Sequence, residues 1–165
     1  IANSLGADAQ FLVSKIADTP AQTVDIAIAL HACDTATDDS IAWAVKNSAK
    51  VIMLAPCCHH DLQAQVDLVP EPWSLLTRHG VVSERLIDLM TDSLRAQILK
   101  LLGYRVDIVE FIGGEHTPRN IMIRAVKTGV KVDPVEVDRY QAMLADWSMA
   151  PHLAELLKSE LSARI

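Results

Sequence analysis

Two short segments of this 165-residue chain gather side chains able to do chemistry: Leu30-His31-Ala32-Cys33-Asp34 and Pro56-Cys57-Cys58-His59-His60. His31 and Asp34 could take a proton from a nucleophile, or align a substrate with the group to be transferred. The second segment admits three readings. It could wall an acceptor pocket, or join Cys33 and His31 in a metal site, since zinc accepts thiolate and imidazole ligands. Alternatively, Cys57 and Cys58 could be a redox pair, although they lack the intervening residues of a Cys-x-x-Cys motif. Spacing weighs against metal, and no metal ligand is expected here. Structural zinc sites generally space their cysteines by two to four residues, and neighbours in an extended segment point to opposite sides. The plain alternative for both segments is a histidine and cysteines that satisfy buried strand ends.

The elements that must position these residues are legible in the apolar pattern. Residues 24–30 and 50–55 are almost continuously apolar, as suits strands covered on both faces. Each stops where a chemistry-bearing segment begins. Residues 10–14 read as a further short strand, and residues 16–20 close it into a loop. A helix is expected from Thr37 or Asp38 to about Asn47, with early acidic residues at its N-terminus and Ile41, Ala42 and Val45 on its buried face.

Residues 61–72 read as a loop with one helical turn. A long helix is expected over residues 84–102, where Leu86, Leu89, Met90, Leu94, Ile98, Leu101 and Leu102 recur at helical spacing and Gly103 supplies a stop. Residues 105–112 and 120–127 read as strands. The loop between them is too short for a helical crossover, so the pair should be antiparallel. Helices over residues 134–147 and 151–163 finish the chain.

Strands alternating with helices imply an α/β layer fold with right-handed crossovers. In such folds the ligand crevice lies beyond the C-terminal ends of the parallel strands. Both segments sit there. The reading is one domain over residues 1–165, with sheet and helices in 1–130 and a helical extension in 131–165.

Composition narrows the function classes. Half the residues are apolar but only 4% are aromatic, so the core must be aliphatic. A net charge of −6 argues against the chain being, by itself, a nucleic-acid-binding surface, while leaving RNA open as a substrate. No apolar run is long enough to span a bilayer, and no secretory signal is visible. Three cysteines do not make a disulfide framework, so reduced thiols in a cytoplasmic protein are expected.

The run His31-Ala32-Cys33-Asp34-Thr35-Ala36-Thr37-Asp38, followed by Ala55-Pro56-Cys57-Cys58-His59-His60, resembles a family of class I S-adenosylmethionine-dependent methyltransferases. That family includes acceptor-stem tRNA ribose methyltransferases and methyltransferase-like proteins. Its members carry a similar His-x-Cys segment after the fourth strand of the sheet and a Cys-Cys segment after the fifth. His116-Thr117-Pro118-Arg119-Asn120 also looks like their link into the last antiparallel strand. The resemblance covers most of residues 10–127.

It implies the C-terminal part of a Rossmann-like sheet with an antiparallel last strand and C-terminal helices. The implied activity is methyl transfer from S-adenosylmethionine, with RNA as a possible substrate. His31, Cys33, Asp34, Cys57, Cys58, His59 and His60 are placed by it at the reacting centre, and Asp18, Leu30 and His31 beside the cofactor. Asp18 could equally be a loop carboxylate capping the turn before Pro20.

Two departures matter. The family's Gly after the Cys is Asp34 here, as in some bacterial members, and the glycine-rich turn that lets backbone approach the cofactor is absent. Gly113-Gly114 cannot replace it, because it joins the terminal hairpin. By the resemblance the chain begins just before the third strand of the sheet. Residues 24–30 should then form an apolar edge, to be covered by the missing N-terminal strands or by a second chain.

The remaining polar and aromatic residues carry weaker signals. Glu110, His116, Arg119 and Asn120 could line the crevice or serve the hairpin, and for Asn120 the structural role is favoured. Trp43, Trp73 and Trp147 read as packing residues, with Trp73 a further candidate for substrate contact. Lys46, Lys50, Arg78, Arg85, Arg95 and Lys100 read as solvated charges unless the fold gathers them.

Overall fold

A computed structural model describes residues 6, 8–67, 69–110 and 120–165. Four strands form one open sheet: β1 (Ile26–Leu30), β2 (Val51–Ala55), β3 (Tyr104–Glu110) and β4 (Ile121–Lys127), in the order β1-β2-β4-β3. β1 and β2 run parallel, whereas β4 is antiparallel to both of its neighbours. The β1–β2 connection is helix α1 (Thr35–Lys46), and the β2–β3 connection contains α2 (Asp61–Gln65), α3 (Ser74–Thr77) and the long α4 (Gly80–Leu101). Helices α5 (Pro134–Trp147), α6 (His152–Leu156) and α7 (Lys158–Ser162) follow the sheet.

Helix α4 begins one turn earlier than its apolar spacing suggests, at Gly80, and Val81 and Val82 are exposed there. Its buried face carries Ile87, Met90, Leu94, Ile98 and Leu101, while Leu89 points outward. The stop is as expected: Gly103 adopts φ 88°, and its N–H closes on Lys100 O at 3.0 Å. The last helix is divided at Leu157 (φ −111°, ψ 22°), a fully buried residue whose backbone leaves the helical region. Its side chain stays in the core, and its N–H still closes on Leu153 O at 3.1 Å.

The core lies on one face of the sheet. Ile52 and Leu54 of β2 and Ile123 and Ala125 of β4 pack with Ile41 of α1, Leu94 and Ile98 of α4, and Leu153 and Leu157 beside them. The C-terminal helices therefore share the sheet's own core. On the other face the pattern differs from a strand covered on both sides. Ile26, Ile28 and Leu30 of β1 are 57%, 62% and 65% exposed, alternating with half-buried Ala27 and Ala29.

Among the described residues β1 pairs only with β2, so its outer backbone edge is open. A groove of about 500 Å³ runs along it, bounded by Ile16 and by Trp43 of α1. Residues 10–14 form no strand, and Phe11, Leu12 and Val13 are exposed. A strand needs a neighbour to take its N–H and C=O groups, and none of the described strands lies beside this segment.

Candidate active site at the tips of the parallel strands

The parallel register aligns Leu30 with Ala55, so the two chemistry-bearing segments leave the sheet side by side. The N–H of His31 makes the last cross-strand contact, to Ala55 O at 3.3 Å. The chain then turns sharply, with His31 at φ 55° and Asp34 at φ 52°.

Asp34 ties this turn to the next loop from three directions. Its N–H donates to Cys58 O at 3.1 Å, its Oδ1 accepts from the N–H groups of His60 (2.9 Å) and Asp61 (3.0 Å), and its carbonyl accepts from Arg95 Nη2 at 2.9 Å. The Thr37 hydroxyl donates to Ala32 O and braces the same turn from α1. The Asp34 carboxylate is thus committed to holding backbone.

The three cysteines converge. Cys33 Sγ lies 3.1 Å from Cys57 Sγ, which lies 3.7 Å from Cys58 Sγ, and none is in a disulfide. Neighbouring side chains on opposite sides were the expectation for an extended segment. Beyond Ala55, however, the chain is irregular, and Cys57 and Cys58 share one side. The Cys57 thiol is pushed up to about 12, first by its hydrogen bond with Cys33, then by burial and by Cys58. A proton shared among thiols is hard to remove when any resulting thiolate faces two sulfur neighbours.

His59 leaves this cluster and enters the core. Only 4% exposed, it places Nε2 at 2.9 Å from Asp92 Oδ1 of α4. Asp92 Oδ1 is also 3.2 Å from Arg95 Nη1, and the Arg95 fork holds Asp38 of α1 through Nε (2.7 Å) and Nη2 (3.2 Å). Arg95 is 2% exposed and is no solvated charge. Burial, the largest influence on the Asp38 carboxyl, holds it above the ordinary carboxylate range against the pull of Arg95.

This chain of buried polar groups connects α1, the β2 tip and α4. Sequence reasoning missed Asp38, Asp92 and Arg95 as a unit. The available signal was the i, i+3 spacing of Asp92 and Arg95, which sets opposite charges on one face of the helix together with the apolar Leu99.

A cavity of about 370 Å³ opens beyond the end of β2, bordered by Pro56, His59, Glu84, Arg85, Asp88 and Asp92. His59 Nδ1 is buried with no hydrogen-bond partner among the described residues, and the Asp88 carboxylate stands 3.5 Å away.

The other expected residues are dispersed. His31 is exposed at the tip, and His60 is exposed with its N–H committed to Asp34. Leu30 lines the β1 groove. Asp18 is exposed in the 3-10 turn Ile16–Asp18, where its N–H closes on Lys15 O. Trp43 donates to Thr19 O at 3.2 Å and braces that turn. The Trp73 ring packs 6.4 Å from Trp147. Asn120 is buried at the start of β4. His116, Arg119 and Gly113-Gly114 lie outside the described residues.

Among the described residues no helix is long and apolar enough to cross a membrane. The open mixed sheet with its flanking helices is compatible with a Rossmann-like methyltransferase fold. Searches of curated proteins and of solved structures return no match. Residues 2–65 match the family model of a methyltransferase domain, a stretch that takes in β1, α1, β2 and both strand-tip segments, and over it the chain is similar to methyltransferases.

Proposed function

We propose that this chain supplies the acceptor side of an S-adenosylmethionine-dependent methyltransferase, with RNA as the acceptor class that the resemblance points to. One coincidence carries the reading: the stretch similar to methyltransferase domains ends where the two strand-tip loops have been brought together. Transfer from a sulfonium is an in-line displacement, and what a protein supplies is alignment plus, for some nucleophiles, a base.

The cavity beside Pro56 would hold the acceptor. His59 borders it and is the candidate proton acceptor, while Asp92 at Nε2 fixes the ring. Exposed His31 and Leu30 sit at the β1 end, where the donor would approach. Among the described residues no glycine-rich turn follows a strand, so the donor's remaining contacts are assigned to residues beyond them.

The test is methyl transfer from labelled S-adenosylmethionine to RNA by the native gene product, with His59→Gln and His31→Ala beside it. The expected result is label in RNA, with His59→Gln lowering kcat by about 10²–10⁴-fold if it is the base. No donor binding in calorimetry and no label in any acceptor would sink the reading. Micromolar donor affinity in the isolated chain would overturn the assignment of the donor contacts elsewhere.

A further inference from the structure

We propose that Cys33, Cys57 and Cys58 form a three-thiolate site for a soft divalent cation of the zinc class, with its fourth position open. The inference goes beyond methyl transfer and does not rest on it.

The geometry is nearly formed. A tetrahedral zinc ion with sulfur ligands at about 2.3 Å sets its sulfurs about 3.8 Å apart. Cys57 and Cys58 already stand at 3.7 Å, and Cys33 at 3.1 Å from Cys57 has to open by roughly 0.7 Å. All three sulfurs lie within 4.8 Å of one another. They come from two loops that the fold fixes independently, through Asp34 N to Cys58 O and Asp34 Oδ1 to His60 N. The cation would not have to order the loops, so little of its binding free energy goes into assembling the site.

Two further observations set the class of site. Cys33 is exposed, which provides an entry path. No histidine or carboxylate among the described residues joins the sulfur cluster, so these residues supply three ligands and leave the fourth position to a group from elsewhere, solvent or substrate included. Three protein ligands with one open position is the pattern of reactive zinc sites, whereas structural sites are closed by four. A bound dication holds its sulfur ligands as thiolates, because each then faces a positive charge, and binding releases protons.

The test uses the full chain, reduced, freed of metal and kept anaerobic, and titrates it with Co²⁺. The expected result is sulfur-to-cobalt charge-transfer absorption that saturates at one equivalent and is displaced by Zn²⁺. Cys33→Ser, Cys57→Ser and Cys58→Ser should each weaken binding by more than the about 10–100-fold that loss of an outer-shell partner costs. Should a variant fail to fold, the wild type still decides: Zn²⁺ should protect all three cysteines from alkylation, read by mass spectrometry, and release protons on binding.

Three results would overturn the proposal. They are no charge-transfer band at stoichiometric Co²⁺, alkylation unaffected by Zn²⁺, or a thiol count of one in freshly isolated protein because Cys33 and Cys57 are already joined as a disulfide. Every readout is independent of methyl transfer, so a failed methylation assay leaves it unchanged.

Discussion

The Asp34 carboxylate accepts the backbone N–H of His60 at 2.9 Å, and this contact fastens the loop after β1 to the loop after β2. The same oxygen accepts the N–H of Asp61 at 3.0 Å. Both donors stand at the start of α2, where helical N–H groups otherwise lack partners. Asp34 provides this at φ 52°, where a side chain is strained.

Strain and hydrogen bonding can be separated at this residue. Asp34→Ala keeps the strain and loses both bonds, and should destabilise by about 2–4 kcal/mol. Asp34→Gly loses the bonds but relieves the backbone, and should cost about 1 kcal/mol less than Ala. Urea unfolding of the three proteins checks this. Equal losses for Ala and Gly would show that the turn is unstrained.

Arg95 neutralises two buried carboxylates. Arg95→Met would leave Asp38 and Asp92 buried without a cation, and should destabilise by about 3–5 kcal/mol. Adding Asp38→Asn removes one stranded charge and should recover part of that loss. A loss below about 1 kcal/mol for Arg95→Met would place the pair in water rather than in the core.

Stability should fall as the solution becomes alkaline. An ordinary thiol loses its proton near 9.0, but Cys57 in the folded chain holds its proton up to about 12. Between these values the unfolded chain binds fewer protons than the folded one, so unfolding is favoured as pH rises through that window. Buried Tyr140, pushed up to about 12 by desolvation, adds to the same trend at its upper end. Denaturant midpoints from about pH 8 upward should decline, and Cys57→Ser should flatten the first part of the decline. Saturating Zn²⁺ should also remove the Cys57 contribution, because the bound thiolate no longer carries a proton.

The open edge of β1 should pair. Its outer backbone groups have no strand beside them among the described residues, and Ile26, Ile28 and Leu30 project from it into solvent. Light scattering of the isolated chain should show concentration-dependent association, and Ile28→Lys should abolish it by placing a charge on the edge. A strictly monomeric chain at high concentration would refute this.

The local signals sufficed for most of the fold. Apolar runs and helical periodicity located β1, β2, α1, α4, α5 and the antiparallel β3–β4 pair, because these depend on which residues recur along the chain. The two chemistry-bearing segments were visible for the same reason, each being a polar interruption at the end of an apolar strand.

What the sequence could not contain was direction. Cys57, Cys58, His59 and His60 are consecutive, yet the structure turns the two thiols toward Cys33, buries His59 against Asp92 and leaves His60 outside. The irregular backbone after Ala55 has no period from which side-chain directions could be read. The partners Asp92 and Arg95 arrive from α4, more than thirty residues later. Composition and spacing named the groups able to react. Only the packing of α1 and α4 on one face of the sheet decided which of them meet, because a buried charge keeps its place only where a partner from another element reaches it.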